Sequence, residues 1–302
     1  MSAVGASQLD LGRRLDRERF EFGTLPYLAP AMALMAVLFL GPIVFSLYLG
    51  FTNLQLAGPN AIHYGFTGLT NVRRLFHDPQ FTASTKLTVY FLLASAIVGQ
   101  TVLGMALALI MRRALAPLRL LVGAVIVLAW VLPEVTTAFV WYAFSQPGGT
   151  LSNVLGHPGT NYLNTAPMIM ICISNAWRNV AFSMLMFSAA LRNLPTEVLE
   201  AAEMEGASMT RRLFSVVLPM MRGTVVTNLL LVTLGNLSTF TLIWILTQGG
   251  PGTESAILPV YMYLVSFSFN DLGYGSMIGL ALIVLGAIFS VSYVYSLRAR
   301  LA

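Results

Sequence analysis

The amino-acid sequence predicts an all-α membrane protein with six transmembrane helices. Of its 302 residues, 57% are hydrophobic and only 10% are charged, and the mean hydropathy is +0.76. Soluble proteins carry about 25% charged residues. Apolar stretches recur along the chain at the length of roughly 20 residues that crosses a hydrocarbon layer of about 30 Å as a helix. These observations together predict a chain that crosses a membrane several times.

The predicted spans cover residues 26–51, 87–111, 120–144, 166–191, 223–246 and 274–297. Each is long and apolar enough to cross the bilayer. Residues 1–25 are predicted to form a polar tail, and residues 26–302 to form the membrane domain. The first span is longer than the 7–15 apolar residues, roughly, of a signal-peptide core, so we expect it to be retained. An even number of spans places both termini on one side.

Basic residues are concentrated on the side of the two termini. Thirteen of the 17 lie there: Arg13, Arg14, Arg17, Arg19, Arg112, Arg113, Arg119, Arg192, Arg211, Arg212, Arg222, Arg298 and Arg300. Arg73, Arg74 and Lys86 fall on the opposite side, and Arg178 falls within a span. The positive-inside rule therefore predicts cytoplasmic N- and C-termini. The basic balance is explained by membrane sidedness, so we expect no nucleic-acid partner.

One polar segment, residues 194–222, separates spans 4 and 5 with the sequence LPTEVLEAAEMEGASMTRRLFSVVLPMMR. Thr196 is predicted to be the N-cap of a helix whose first turn holds Glu197, because a carboxylate suits the positive end of a helix. Gly206 is predicted to end this helix, since glycine permits a backbone reversal that other residues resist. A second helix is predicted from Ala207, with its arginines directed outward. The segment therefore reads as helix, glycine turn, helix on the cytoplasmic side.

The spacing within this segment resembles the EAA loop of the membrane subunits of ABC importers. The matching positions are Glu200, Ala201, Ala202, Gly206, Val216, Leu218 and Pro219. Glu205 stands where the family more often has aspartate, and Val216 where it has isoleucine. The resemblance implies a cytoplasmic coupling helix that inserts into a groove on a separate ATP-hydrolysing subunit. The alternative is an amphipathic loop helix with no partner.

The segment after span 5 is similar to the sugar-type branch of these permeases, the maltose/glycerol-phosphate permease family. The matching positions are Thr247, Gly249, Gly250, Pro251, Gly252, Tyr263, Phe269, Gly273 and Tyr274. The resemblance implies one transmembrane subunit of a binding-protein-dependent carbohydrate importer in a prokaryotic cell membrane. The implied partners are a second permease subunit, the ATPase subunits, an extracytoplasmic solute-binding protein, membrane lipid and the sugar itself.

The chain lacks the residues for hydrolysing ATP through a P-loop. That loop needs a lysine after its glycines to reach the phosphates, and the only lysine, Lys86, follows Ser84 and Thr85. No Ser-His-Asp set, HExxH motif or pair of carboxylates stands out either. We therefore predict a permease subunit that is not an enzyme and carries no cofactor, with ATP and Mg²⁺ on the partner ATPase.

Two ionisable residues, Glu134 in span 3 and Arg178 in span 4, are predicted near the middle of the membrane. A lone charge there costs about 2.5–3.5 kcal/mol on insertion scales, and such residues usually face the protein interior. We expect them to form an ion pair or to share one water-filled cavity. The pair would then either lock span 3 to span 4 or take part in solute passage.

Amide, hydroxyl and aromatic side chains complete the candidate pathway. In span 5, Asn228, Asn236 and Thr239 fall on one helical face. The candidate pathway residues are Glu134, Asn175, Arg178, Asn179, Asn236, Thr239 and Trp244. Hydroxyl-rich solutes are bound by amides, hydroxyls and aromatic faces. The simpler interpretation of each polar residue is a hydrogen bond between helices.

Two other functions remain open from the sequence. An ABC permease for glycerol phosphate or another polar anion would use Arg178 as a charge anchor. A secondary transporter would work without an ATPase and usually has more spans.

Overall fold

The computed structural model describes residues 25–298, and these fold into helices joined by short loops. Within them, the isolated β-bridge is an antiparallel contact between Thr52 and Phe66. The described residues therefore confirm the all-α class. The tail predicted for residues 1–25 lies outside them except for its last residue.

The α-helices of the described residues are numbered α1 to α17. They are α1 (Leu25–Met35), α2 (Gly41–Leu49), α3 (Thr70–His77), α4 (Pro79–Phe91), α5 (Leu103–Arg113), α6 (Ala116–Val131), α7 (Glu134–Ser145), α8 (Thr150–Val154), α9 (Tyr162–Thr165), α10 (Pro167–Arg192), α11 (Thr196–Met204), α12 (Met209–Arg212), α13 (Leu218–Met220), α14 (Arg222–Leu237), α15 (Thr241–Thr247), α16 (Leu258–Tyr263) and α17 (Leu272–Arg298). Stretches of π-helix cover Ala36–Leu40, Leu92–Val102, Leu213–Val217 and Leu264–Ser268, and a 3₁₀ turn covers Pro59–Ala61.

The first apolar helix belongs to a compact unit of its own, which ends at Leu49. Its membrane-length stretch is Tyr27–Leu49, with 23 residues, and no residue of its most apolar window is buried. A helix that is apolar all round and unburied is typical of a lipid-exposed span.

The second unit begins at Gly50 and contains a bundle in which α10 is central. Its continuous helical stretches Pro79–Arg113, Pro167–Arg192 and Leu272–Ser296 are long and apolar enough to cross a membrane. Of the most apolar window of α10, 61% is buried, against 11% for the last of these stretches. Helix α10 therefore forms the interior of the unit, and α17 lies at its edge.

Two predicted spans are not single straight helices. In the segment 120–144, α6 ends at Val131 and the chain turns by 105° before it continues from Glu134. Pro133 lacks a backbone N–H and its ring opposes the preceding helical turn, so the helix stops there. In the segment 223–246, α14 ends at Leu237 and α15 begins at Thr241. Average hydropathy over a window does not register such breaks.

The described residues therefore contain four continuous helices long enough to span a membrane, and up to six spans if each bent pair counts as one. The second bent pair joins Met209–Met220 to α14 at an angle of 78°. The chain thus turns sharply between the polar segment and the helix that follows it.

Glycines allow the stretch Pro79–Arg113 to approach α10 closely. A Cβ atom at Gly99 would lie 2.5 Å from the Cβ of Ala176, and one at Gly104 would lie 2.5 Å from the Cβ of Ser183. Small residues at helix contacts in membranes permit such backbone approach. This contact brings the polar residues of the stretch Pro79–Arg113 against those of α10.

A hydrogen-bonded cluster around Asp78 ties the start of α4 to α16 and α17. One carboxylate oxygen accepts the backbone N–H of Gln80 at 2.8 Å and caps α4. The other accepts the hydroxyls of Tyr261 and Tyr274, both at 2.6 Å. Burial raises the pKa of Asp78, but the hydrogen bonds together lower it by more than burial raises it. The pKa of Asp78 therefore lies below its ordinary value of 3.8.

Arg74 adds an ion pair beside this cluster. Its guanidinium lies 2.6 Å from the carboxylate of Asp271 and 4.0 Å from the ring centre of Tyr274. The Arg74 side chain is 53% exposed. Exposed pairs of this kind stabilise proteins by about 1 kcal/mol or less, so the buried hydroxyl contacts of Asp78 contribute more.

Candidate functional site

A polar cavity of about 510 Å³ lies beside the helix breaks, between α7, α10 and α14. Its lining residues are Gln100, Trp130, Glu134, Arg178, Asn179, Phe182, Leu231, Val232, Gly235, Asn236, Ser238 and Thr239. Most of the predicted pathway residues are among them: Glu134, Arg178, Asn179, Asn236 and Thr239. We call this space the polar cavity.

Glu134 connects the two helix breaks. It is the first residue of α7, directly after Pro133, and its carboxylate accepts the backbone N–H of Leu242 at 3.0 Å. Leu242 lies in the first turn of α15, where the N–H groups have no partner within the helix and favour a negative charge. The carboxylate is therefore held at the cavity wall by a helix end.

Arg178 projects from α10 toward the same break. Its Nε donates to the carbonyl of Leu132 at 3.4 Å, and its Nη1 donates to Oδ1 of Asn179 at 3.3 Å. Leu132 lies between α6 and α7, and carbonyls at a helix end lack partners within the helix. The break thus supplies the acceptor for the arginine.

The ion pair predicted between Glu134 and Arg178 is not formed. The two ion pairs found within residues 25–298 are Arg74 with Asp271 and Arg212 with Glu203. Glu134 and Arg178 are each bound to a backbone group instead, and both line the polar cavity. Of the two predicted arrangements, an ion pair or a shared cavity, Glu134 and Arg178 therefore have the shared cavity.

A buried amide network forms one wall of the polar cavity. Asn175 is 2% exposed and donates to Oγ of Ser95 at 2.6 Å and to Oδ1 of Asn236 at 2.5 Å. Gln100 donates to the same Oδ1 at 3.1 Å, and Asn179 donates to Oδ1 of Asn175 at 2.9 Å. A connected buried network of this kind is rigid. Asn175 thus lies behind the wall and orients two amides that line the cavity.

Several residues of the polar cavity were missed by the sequence reasoning. Gln100 lies on the π-helical part of span 2, beside Ser95, which is behind the wall. Trp130 lies 6.2 Å from Phe182, ring centre to ring centre. An amide inside an apolar span is itself a signal that could have identified Gln100. Trp130 carries no such signal, because aromatic residues are common at any face of a membrane helix.

Two predicted positions lie elsewhere. Trp244 is on α15 and packs against Phe240 and Tyr263, with ring centres 5.7 and 4.6 Å away, so it is not a wall residue of the polar cavity. Asn228 is fully buried and donates to Oγ1 of Thr101 at 3.1 Å. The sequence offers Trp244 only for its aromatic ring, and an aromatic residue alone does not indicate which neighbours its ring contacts.

The polar segment forms helix, glycine turn and helix, as predicted. Helix α11 ends before Gly206, which has a φ of +73°. The N–H of Gly206 donates to the carbonyl of Glu203 at 2.9 Å, and that of Ala207 donates to Ala202 at 3.1 Å. This is the Schellman pattern, in which glycine takes the left-handed position.

The predicted caps of this segment are partly wrong. Thr196 is the first helical residue, and Pro195 occupies the N-cap position without a side-chain hydrogen bond. The second helix begins at Met209, with Ser208 as its N-cap accepting the N–H of Arg211 at 3.4 Å. The ring of Pro195 fixes its φ at a value that suits the position before a helix. Helix α11 therefore begins at Thr196, one residue earlier than predicted.

Helix α11 leaves one face uncovered. Glu200, Ala201 and Glu205 are exposed, and Met204 is 88% exposed, whereas Ala202 is half-buried. On the other face, Leu199 packs against a cluster that contains the buried Leu194.

The two remaining features of the segment differ in outcome. Arg212 lies 2.7 Å from Glu203 and is folded back onto α11, so the predicted outward direction is wrong for it. Pro219 is exposed on α13, just before the 78° turn into α14.

The polar cavity combines a carboxylate, a guanidinium, amides, hydroxyls and aromatic rings. Within the described part of the chain, no group of three or more His, Cys, Asp or Glu side chains is placed to hold a metal ion. Side chains of this kind bind a polar solute by hydrogen bonds and ring contacts. The composition of the polar cavity is therefore suited to binding a polar solute.

The sequence profile of the family of binding-protein-dependent transport system inner membrane components matches residues 100–300. The chain belongs to this family. The matched range holds most of the polar cavity and the whole of α11, so both features lie in the family's own region of this permease.

Known relatives agree with this assignment over nearly the whole chain. The permease is 30% identical to the sulfoquinovosyl glycerol transport system permease protein of Agrobacterium fabrum, over 97% of this chain and 93% of the relative. It is 32% identical to the trehalose/maltose transport system permease protein of Thermococcus litoralis, over 76% of this chain and 78% of the relative.

A solved structure has the same fold. A chain of the bacterial alginate ABC transporter, in complex with alginate pentasaccharide-bound periplasmic protein, superposes with a TM-score of 0.75. The alignment covers 95% of the permease and 96% of that chain at 18% identity.

Proposed function

We propose that the permease is one of two transmembrane subunits of an ATP-driven, binding-protein-dependent importer of a sugar. The relatives named above transport sugar-containing solutes, and the solved neighbour is an ABC transporter for a polysaccharide bound by a periplasmic protein. A second permease, a pair of ATPase subunits carrying ATP and Mg²⁺, and a solute-binding protein complete the proposed complex. We place it in a prokaryotic cell membrane, with solute passing between the two permease chains.

The single observation that carries this proposal is the composition of the polar cavity. Its one guanidinium, on Arg178, is matched by one carboxylate, on Glu134, and each is bound to a neutral backbone group. The formal charges of the cavity wall therefore balance. Fixed amides and the rings of Trp130 and Phe182 then offer hydrogen bonds and apolar faces, which suit a neutral hydroxylated solute.

We further propose six spans with both termini in the cytoplasm. The sorting of arginines supports this orientation. Two of the six spans are broken, one at Pro133 and the other between Leu237 and Thr241. Broken membrane helices are tolerated where irregular backbone lines a cavity, and the break at Pro133 does so.

We propose that α11 is the coupling helix. Its uncovered face offers carboxylates and the large apolar side chain of Met204 to an ATPase groove. Its opposite face packs on the membrane domain through Leu199, so movement of the ATPase would be passed directly to the core. Gly206 fixes the direction in which the chain returns.

The solute is tested with the complete transporter in proteoliposomes. ATP-dependent uptake is measured for trehalose, maltose, sulfoquinovosyl glycerol and glycerol 3-phosphate. We expect Asn179→Ala to raise the KM of the transported sugar about tenfold, because a wall hydrogen bond of about 1.5 kcal/mol is lost. Asn228→Ala removes a buried amide away from the cavity and should leave KM within about twofold, since no solute contact is lost. Equal KM changes in both variants would show that the polar cavity is not part of the solute path.

The coupling role is tested by charge removal on α11. Glu200→Gln should reduce solute-stimulated ATP hydrolysis if its carboxylate contacts the ATPase. Glu254→Gln, an exposed carboxylate in the segment after span 5, is the matched control and should have no effect. Unchanged coupling in Glu200→Gln would show that this residue only maintains the helix.

A second candidate solute is a polar anion such as a glycerol phosphate, favoured by Arg178 in the cavity wall. Preferential uptake of glycerol 3-phosphate, lost in Arg178→Gln, would support it over a neutral sugar. A secondary transporter would show uptake without ATP or an ATPase subunit.

A further inference from the structure

A second cavity, of about 260 Å³, lies where the end of α5, the start of α6 and the end of α10 meet. Three arginines, one from each helix, line it: Arg112, Arg119 and Arg192. The other lining residues are Ala108, Met111, Gly123, Met184, Leu185, Ser188 and Leu191. We call this space the arginine pocket.

The charges of the arginine pocket are unbalanced. No acidic residue is among those that line it. The neighbouring cavity near α11 differs, because it holds Glu200 and Glu203 beside its arginines, and Glu203 lies 2.7 Å from Arg212. Arg112 lines both cavities, whereas Arg119 and Arg192 line only the arginine pocket of the two. Like charges gathered in one cavity repel each other unless an anion lies between them. The three arginines are exposed, so water screens part of this repulsion, and an anion between them would offset the rest.

One arginine is fixed in place by the fold. Arg119 donates from Nη2 to the carbonyl of Ala114 at 2.9 Å, in the turn between α5 and α6. The guanidinium has five N–H donors, so most remain free to bind an anion. Ser188, half-buried on α10, adds a hydroxyl to the same cavity.

The rest of the wall is apolar and opens to the side. Leu185 lines the pocket and is 42% exposed, and Leu121, two residues before Gly123 on α6, is 65% exposed. No atom lies within 4 Å of the position of a Cβ at Gly123. Glycine inside a helix costs about 1 kcal/mol relative to alanine, and here no close helix contact explains it, unlike Gly104. Space for an apolar chain therefore continues past Gly123.

We propose that the arginine pocket binds the phosphate of an anionic membrane lipid, whose acyl chains lie along Leu185 and Gly123. Basic pockets between membrane helices on the cytoplasmic side recognise such headgroups. A free phosphate ion would share the contacts with the guanidinium groups but would leave the apolar wall uncovered. This site is additional to the solute path, and it depends on the proposed orientation only for the choice of the cytoplasmic leaflet.

The test measures lipid retention by native mass spectrometry of the complete transporter, released from nanodiscs in which a minority of the phosphatidylcholine is replaced by the anionic lipid phosphatidylglycerol. The pocket variant is Arg119→Gln with Arg192→Gln. At about fivefold per arginine near an anionic headgroup, the loss of two arginines should weaken the retention of phosphatidylglycerol about thirty-fold. The control, Arg113→Gln with Arg211→Gln, removes equal charge on the same side outside the pocket and should retain it.

Two further variants separate binding from folding. Arg119→Lys with Arg192→Lys keeps both charges and should restore most of the retention. Gly123→Leu keeps every arginine but fills the apolar space, and we expect it to weaken retention of phosphatidylglycerol without changing the elution volume of the complex.

Three results would overturn the proposal. The first is equal retention by wild type and the Arg119/Arg192 variant, as expected if a partner subunit fills the pocket. The second is equal loss in the control variant. The third is wild-type retention of phosphatidylglycerol by Gly123→Leu, together with stabilisation of the lipid-free complex by inorganic phosphate that the pocket variant abolishes, which would indicate a soluble anion. ATP-dependent sugar uptake, measured on the same preparations, tests the proposed function separately.

Discussion

Replacement of Asp78 by asparagine tests how the loop before α4 is held to α16 and α17. One carboxylate oxygen of Asp78 accepts two tyrosine hydroxyls at 2.6 Å, and the other caps α4. Asparagine has the same shape but only one acceptor oxygen, so at least one charge-assisted hydrogen bond is lost. Such a bond contributes about 1.5–3 kcal/mol. At about 2 °C per kcal/mol for a large chain, the melting temperature should fall by about 3–6 °C.

The assay follows thermal unfolding in detergent with a thiol-reactive dye. Cys172 is the only cysteine and is 7% exposed, so the dye reports its exposure on unfolding. The control Arg74→Gln removes the exposed ion pair with Asp271 and should lower the melting temperature by less than about 2 °C. A fall in Asp78→Asn no larger than that of the control would refute the reasoning. The same conclusion would follow if Asp78→Asn lowered the melting temperature just as much in a chain that also carries Tyr261→Phe and Tyr274→Phe.

The pH dependence of this difference follows from the lowered pKa of Asp78. A carboxyl whose pKa is lowered in the folded state contributes its full stability above the unfolded value and loses it as pH falls through the folded value. The difference in melting temperature between wild type and Asp78→Asn should therefore be constant from about pH 8 to pH 5. It should narrow only below the ordinary value of 3.8. A difference that narrows already between pH 8 and pH 5 would contradict the lowered pKa.

Three further substitutions test other contacts. Gly104→Val places an isopropyl group against Ser183 and should destabilise the protein by about 1–3 kcal/mol in the same dye assay; a stability equal to wild type would show that the helices can separate freely. Gly206→Ala forces a positive φ on alanine, at about 1 kcal/mol, and should speed amide exchange in α11 but not in α10. Glu134→Ala leaves the N–H of Leu242 without its acceptor and should lower stability by about 1–3 kcal/mol, whereas Glu134→Gln, which keeps an acceptor oxygen, should lower it less.

The parts of the fold that depend on local sequence were predictable. Apolar length identified the long helices, and a single glycine identified the turn at Gly206, because each is a property of adjacent residues. The break at Pro133 had a local signal too, but averaging over a window concealed it.

The site was less predictable, because its contacts join distant parts of the chain. Glu134 and Arg178 were correctly placed on one cavity, yet each is bound to backbone groups at helix ends that exist only because of the breaks. Trp244 is not a wall residue of the polar cavity, because its aromatic character alone did not indicate that its ring packs against Phe240 and Tyr263. The contact of Gln100 with Asn236 spans more than a hundred residues, and no spacing within a single helix indicates it.

If the polar cavity is part of the solute path, a cysteine at position 239 should be protected by the solute. In a Cys172→Ala background, the complete transporter with Thr239→Cys is treated with a small water-soluble thiol reagent. We expect labelling to slow when the transported sugar is present under turnover conditions, whereas Ala57→Cys, in an exposed loop, should label at an unchanged rate. Labelling of Thr239→Cys that the sugar does not alter would contradict this role of the polar cavity.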